Sequence, residues 1–433
     1  MTRSEQKHFT ASNSGLKVAV MTAAFVLALF AGQPAKAQTF EVIHTFTGGG
    51  DGSNPVSGLT FDRGGNLYGG TGLGGNKSEY CGPTCGMIFK MVRTGSSWIY
   101  QPLYLFVGME GGPGPSRITI GPNGSLYGLG GDAAYNLTPP PTRCISFVCQ
   151  WNDTVLWTFC CGADSPGGLT FDQAGNMYSG SEDGGEINHC SGGLGCGFIF
   201  QLVPTSEGWT YNVIYEFHDG NQGAHPTGEL IVDSSGNLYG TTAGLYGGDG
   251  NGNVFKLTPS QAGYWNETVL YTFQGGSDGR FPQAGVIFDS KGNLYGASSE
   301  GGANNGGTVF ELTAANGWAF NLLYSLPASQ FGVTGVNASM IMDSAGNLYG
   351  TTFVSGAYNL GSVFKLTHGS GGWTYTDLHD FTGASDGAYP VGSLVMDSNG
   401  NIYGAAEAGG STSSNCDVGW NYQCGVLFEI TPN

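Results

Sequence analysis

The chain has 433 residues, of which 78 are glycine, 12% are aromatic and only 11% are charged. It is too apolar and aromatic for a disordered polymer, and it lacks the unbroken Gly-X-Y period of collagen. Fourteen basic against 32 acidic residues leave a net charge of −18, a surface that repels phosphate and disfavours nucleic-acid or anionic-membrane partners.

At the N-terminus, Arg3, Lys7 and Lys17 flank an apolar run from Val18 to Phe30, and Ala35-Lys36-Ala37 supplies small residues where a signal peptidase reads. The run is too short for a comfortable membrane span, so residues 1–37 are expected to be a cleaved signal peptide rather than a retained anchor. Gln38 follows, not a cysteine that could take a lipid, and nothing later resembles a membrane segment. Residues 38–433 are then read as one exported domain, periplasmic or extracellular and expected to be a monomer. Signal removal takes away four basic residues (Arg3, Lys7, Lys17, Lys36) and one acid (Glu5), leaving a net charge near −21. Such a surface suits cations or basic partners, although solubility accounts for much of it.

The first expected strand is Phe40–Phe46. After it, one motif recurs with tyrosines at 68, 127, 178, 239, 295, 349 and 403, spaced by 59, 51, 61, 56, 54 and 54 residues. A unit of this size holds four short strands. Strand a is an apolar run ending in Asp at 62, 172, 233, 289, 343 and 397, with RITIG in the second repeat. Strand b is the Asn-Leu-Tyr-Gly segment. Strand c reads x-Phe-x-Leu, as at Phe255 and Leu257, and strand d opens on Trp98, Trp151, Trp209, Trp265, Trp318 or Trp373. In strand d, Trp209, Tyr211, Val213, Tyr215 and Phe217 are expected on one face by period-2 alternation.

The last repeat stops on a c-type strand, Val426–Ile430, and lacks its d strand, while Phe40–Phe46 is a spare d strand at the other end. Pairing the two closes a ring and removes an exposed edge. The expected fold is all-β: a seven-bladed β-propeller of four-stranded blades, closed by the N-terminal strand pairing with the C-terminal blade, in preference to an open solenoid. Within Asp-x-x-Gly-Asn-x-Tyr-Gly, the Asp accepts turn hydrogen bonds, Gly and Asn tolerate a tight hairpin, and the last Gly admits a neighbouring blade or bends the strand. A nucleotide-loop reading fails, because no helical pattern and no Gly-Lys-Ser/Thr follows.

The ten cysteines fall in close pairs: Cys81/Cys85, Cys144/Cys149, Cys160/Cys161, Cys190/Cys196 and Cys416/Cys424. In an exported chain they read as local disulfides, in preference to zinc ligands, since no C-x2-C pair is present.

These segments resemble the exported tandem-repeat proteins of the Gloeo/Verruco (GloVer) repeat family, through GNLYGTT at 236–242, GNVFKLTP at 252–259, the W…TVLYTF strand at 265–273 and GGSDGRFPQAGVIFD at 275–289. The resemblance implies a propeller and export, but no activity. Members often carry C-terminal surface anchors, and here none is seen before Asn433. The D-x-x-G-N-x-Y segment is also locally similar to NHL-type and streptogramin-lyase propellers.

Meander blades send the b–c and d–a loops to one face, and these loops vary most, so binding is expected there. The d–a loops repeat an acidic turn at Asp51, Glu110, Asp164, Asp219, Asp278 and Asp386. Such acids suit Ca²⁺ or another divalent ion, while the plainer reading is an Asp-Gly turn. A second, irregular set joins Glu182, Asp183, Glu186 and His189 of one b–c loop to His218, Asp219 and His225 of the next d–a loop. It suits a metal or acid–base chemistry; the plainer reading is a solvated loop pair. The expected function is non-catalytic binding of a protein, glycan or envelope ligand through this face. The alternative is a metal-assisted lyase or hydrolase using the same face, although no G-x-S-x-G or H-E-x-x-H motif supports it.

Overall fold

The computed structural model describes residues 38–75, 85–106, 115–130, 133–140, 151–159, 167–185, 195–218, 223–244, 250–260, 263–328, 335–411, 416 and 424–432. The expected signal peptide lies outside them. Seven antiparallel sheets succeed one another along the chain. Blades 1 to 6 use residues 53–105, 119–158, 170–216, 231–272, 287–325 and 341–380, and blade 7 joins 388–431 to the N-terminal strand. In blade 1, strand a is split into Ser53–Pro55 and Thr60–Phe61, both paired with Leu67–Leu73.

Closure is as expected. Thr39–Thr45 lies beside Val426–Thr431, in register from Thr39 opposite Thr431 to Thr45 opposite Val426. The closing strand also carries the bulge of a regular d strand, at Val42/His44, where other c–d pairs shift at Val254/Phe255 and Val363/Phe364. That bulge corrects the expected alternation in strand d. Opposite the Ile199/Phe200 shift, Val213 turns outward at 43% exposure while Ile214 is buried, because one extra residue inverts the faces beyond it.

The recurrent turn is a closed hydrogen-bond unit. Asp62 Oδ1 accepts the backbone N–H groups of Gly64 and Asn66, and Oδ2 accepts Asn66 Nδ2 and the Tyr68 hydroxyl. Asp172, Asp233, Asp343 and Asp397 repeat it, each with its Asn and Tyr four and six residues on. The glycine after Tyr has a different duty from either expected one: a Cβ on Gly296 would stand 2.5 Å from Phe310 Cζ, and on Gly404 2.4 Å from Phe428 Cζ. It makes room for the strand-c phenylalanine of its own blade.

The apolar core is divided among the blade interfaces. Each of the seven buried clusters draws on two consecutive blades, as where Phe217 and Ile199 of blade 3 meet Leu230 and Phe255 of blade 4. Five strand-opening tryptophans pack on the strand-b tyrosine of the preceding blade: Trp98 on Tyr403, Trp151 on Tyr68, Trp209 on Tyr127, Trp265 on Tyr178 and Trp318 on Tyr239. A second belt joins adjacent d strands. Five of its contacts are ring stacks: Trp157 on Tyr211, Tyr271 on Phe320, Tyr324 on Tyr375, His379 on Phe40 and His44 on Tyr100. At the other two interfaces the receiving ring is replaced by an acid, and Tyr104 donates to Asp153 at 3.0 Å and Tyr215 to Glu267 at 2.7 Å.

Two outcomes follow from these interfaces. Burial pushes the Glu267 carboxyl up to about 7 from its ordinary 4.5, although the Tyr215 hydrogen bond opposes this. The folded protein therefore holds this proton more tightly than the unfolded chain, and stability is lost as pH rises from 4.5 through about 7. Glu267→Gln is expected to stabilise by about 1–3 kcal/mol at pH 8 and not at pH 4.5, in calorimetric unfolding at both values. An equal effect at both would contradict this. Starting the chain at Asp51 removes the closing strand and is expected to lower Tm by about 10 °C or more, or to yield aggregated protein; an unchanged Tm would show that the ring does not depend on it.

Candidate functional site

The b–c and d–a loops gather on one face, as expected, and the described d–a acids serve their own turns. Asp51 accepts Thr47 N at 3.0 Å and Thr47 Oγ1 at 2.6 Å, and Asp386 accepts Thr382 N at 2.9 Å. Asp278 accepts Gln274 N at 2.8 Å and the Tyr271 hydroxyl at 2.9 Å. Burial is the largest influence on the Asp51 carboxyl and pushes it up, but hydrogen bonds from His44 and Thr47 and the charge of His44 hold it below the ordinary value. Glu110, Asp164 and Asp219 lie outside the described residues. Among those described, no group of three or more His, Cys, Asp or Glu is placed to hold a metal.

Of the irregular set, the structure brings together Asp183 and His225, with Oδ1 and Nδ1 3.3 Å apart. His225 is 1% exposed, and neither of its ring nitrogens makes a hydrogen bond among the described residues, Nδ1 having only the ion-pair approach of Asp183. Glu182 precedes this pair just beyond strand Met177–Ser181, and His218 follows strand Gly208–Glu216. Glu186 and His189 lie outside the described residues. Of the cysteine pairs, Cys416–Cys424 forms the expected disulfide, with Cα atoms 5.0 Å apart. Cys85 and Cys196 are disulfide-bonded as well. Their expected partners Cys81 and Cys190 lie outside the described residues, as do Cys144, Cys149, Cys160 and Cys161.

His225 owes its position to a motif the sequence reading stopped short of. Five d–a loops read Gly-x-X-Pro; in four of them the residue before the proline is described, as Asn54, His225, Phe281 or Tyr389, and the fifth, Gly114 before Pro115, lies outside the described residues. All four adopt positive φ, between 53° and 62°, a conformation that strains a bulky residue. Each donates its N–H to the preceding blade: Asn54 to Cys424 O, His225 to Cys196 O, Phe281 to Asn251 O and Tyr389 to Leu360 O, at 2.7–2.9 Å. Each proline then packs where a neighbouring glycine leaves space, Pro226 on Gly197 and Pro390 on Gly361 among them. The clasp is constant and the residue it carries varies. Tyr389 packs on Phe353 at 5.3 Å. On the same face Glu407 is the penultimate residue of strand Ile402–Ala408, and burial alone pushes its carboxyl up to about 6.

Inside the ring, the residue just before each strand-a leucine, isoleucine, valine or methionine is small in five blades (Gly58, Gly168, Gly285, Ser339, Ser393) and large in two (Arg117, Glu229). Arg117 of blade 2 pairs with Glu229 of blade 4 at 2.5 Å, past Gly168 of the blade between them. Ser393 of blade 7 donates to Glu229 Oε1 at 3.3 Å. This spoke crosses the channel, and a cavity of about 380 Å³ lies beside it, lined by Phe61, Ile120, Thr170 and Ile231 of the strands that lead to the a–b turns. The signal was present as RITIG and ELIVD, two departures from a small residue at one repeat position.

No protein of curated function matches the chain. Among solved structures it is similar to a streptogramin B lyase (12% identity, TM-score 0.57, covering 93% of this chain and 100% of that one). It is also similar to a virginiamycin B lyase from Staphylococcus aureus (12%, 0.56, 92% and 99%) and to the extracellular domain of a hybrid two-component system from B. thetaiotaomicron (13%, 0.50, 92% and 41%). At these identities the likeness is one of fold. Residues 152–335 and 246–433 match the Gloeobacter/Verrucomicrobia repeat, and with well over half its length matched, the chain belongs to that family.

Proposed function

We propose that the protein is an exported binding module that engages a protein, glycan or envelope ligand through its b–c/d–a face. The observation that carries this reading is the clasp: four equivalent backbone positions hold Asn54, His225, Phe281 and Tyr389 in one strained conformation. A rigid frame that varies one side chain, half-buried at Asn54 and Tyr389 and buried at His225 and Phe281, suits recognition. The described turn acids, by contrast, spend their oxygens on their own loops, which leaves little for chemistry. Export is supported by the signal-like residues 1–37 and by the Cys416–Cys424 disulfide. Extracellular propellers of similar fold agree with it. Among the described residues no helix is long and apolar enough to cross a membrane.

The metal-assisted lyase or hydrolase reading has one observation in its favour, the buried His225 ring beside Asp183 with neither nitrogen hydrogen-bonded among the described residues, on a fold also used by streptogramin lyases.

The test applies mature protein, residues 38–433, to a glycan array and a panel of purified envelope proteins, with His225→Asn and Tyr389→Asn alongside. Asparagine tolerates the left-handed backbone, so both variants are expected to fold. Retention of the ligand is expected to fall at least about tenfold in one or both. Equal retention by wild type and both variants would overturn the proposal. A stoichiometric divalent ion in wild type that His225→Asn loses would favour the enzyme reading instead.

A further inference from the structure

The strand-b tyrosine of each blade, paired with an Asp in all but blade 2, sits beside the fourth residue of strand c, and that residue decides the local charge. In blades 1, 4 and 6 it is Lys90, Lys256 or Lys365, whose ammonium lies over the blade's tyrosine at 5.2–5.5 Å. It is a carboxylate only in blades 5 and 7, as Glu311 and Glu429; blades 2 and 3 have Asn136 and Gln201. These two acids receive the tyrosine hydroxyl in the same way, Tyr295 to Glu311 Oε1 and Tyr403 to Glu429 Oε1, both at 2.9 Å.

At the blade 7–blade 1 interface the resulting charge is answered. Arg93 reaches from strand c of blade 1 to donate to the Tyr403 hydroxyl at 2.9 Å, and it lies 3.4 Å from Asp397 and 3.6 Å from Glu429. Its guanidinium stands over Trp98 at 5.4 Å. The residue equivalent to Arg93 is Pro139, Pro204, Pro259, Ala314 or Pro432 in five blades and His368 in blade 6. At the blade 5–blade 6 interface, then, the same acids, Asp289 and Glu311, face a shorter imidazole. His368 packs on Trp373 at 5.1 Å and forms no ion pair among the described residues. Among the described residues Trp373 is the one strand-opening tryptophan with no ring contact to the preceding blade's tyrosine, here Tyr295. In place of the guanidinium there is a groove of about 660 Å³ lined by Asp289, Tyr295, Glu311, His368 and Trp373. Lys291 stands exposed on its rim, without an ion pair among the described residues.

We propose that this groove, on the a–b/c–d face opposite the loop-rich one, receives an arginine side chain of a partner protein. The chain itself supplies the template, since Arg93 shows how Tyr, Asp, Glu and Trp at these repeat positions hold a guanidinium. A planar fork can reach both carboxylates while stacking on the indole, which a compact ammonium does less well. The strongly acidic surface favours the approach of a basic segment.

The experiment is titration calorimetry of mature protein with acetyl-Gly-Arg-Gly amide and its citrulline counterpart, which keeps the shape and loses the charge. Wild type is expected to bind the arginine peptide at least about tenfold more tightly than the citrulline peptide, and Glu311→Gln to lose most of that preference. His368→Arg restores the Arg93 arrangement from within. It is expected to abolish peptide binding and raise Tm, so a failure of Glu311→Gln to fold leaves the test intact. Equal binding of both peptides by wild type, or undiminished binding by folded His368→Arg, would overturn the proposal. Both readouts are independent of the clasp variants that test the opposite face.

Discussion

The apolar core of this protein lies between blades, so no blade can bury its hydrophobic surface until a neighbour stands on each side. Every cluster of fully buried side chains draws on two consecutive blades. A chain of seven such units has an unsatisfied face at each end unless the ends meet, and the free edge would invite pairing with other molecules. The N-terminal strand resolves both problems at once. It supplies the missing hydrogen-bond ladder to Val426–Thr431, and it places Phe40 on His379 and His44 on Tyr100, completing the aromatic belt on both sides of blade 7.

Rigidity at the interfaces shapes what the two faces can do. On the loop-rich face the Gly-x-X-Pro clasp anchors four described inner loops to the blade before them through a backbone hydrogen bond. Only the side chain at X is then left to vary. Across the channel, Arg117 and Glu229 tie blade 2 to blade 4, and Ser393 adds blade 7. On the opposite face the turns are uniform, and a distinctive groove arises where His368 stands in strand c at the position from which Arg93 pairs with two carboxylates. Both faces illustrate one rule: repeat-wide interactions make the scaffold, and departures from them make the sites.

Blade number, strand order and ring closure were legible in the sequence because they rest on local periodicity and on a count of strands, one spare at the N-terminal end and one missing from the last repeat. The Asp-x-x-Gly-Asn-x-Tyr turn was legible for the same reason, its donors and acceptor lying within six residues of one another. What escaped depends on contacts between repeats. The bulge that exposes Val213 and buries Ile214 is set by the pairing of strand d with strand c. The glycine after Tyr answers a phenylalanine some fourteen to twenty-four positions away in strand c. Arg117 and Glu229 are 112 residues apart and belong to non-adjacent blades. Of the candidate set around 182–225, a shared face for Asp183 and His225 was expected from strand order alone. The burial of His225 was not, because it follows from a strained backbone position before Pro226.

The central claim is that the two chain ends form one blade on which the ring depends, and amide hydrogen exchange tests it most directly. The account predicts that the amides of Thr39–Thr45 paired with Val426–Thr431 exchange slowly and together with the strand-c amides of the other blades, as one cooperative unit. Exchange of Thr39–Thr45 within seconds, while the rest of the sheet core stays protected, would mean that the ring stands without its closing strand and would contradict it.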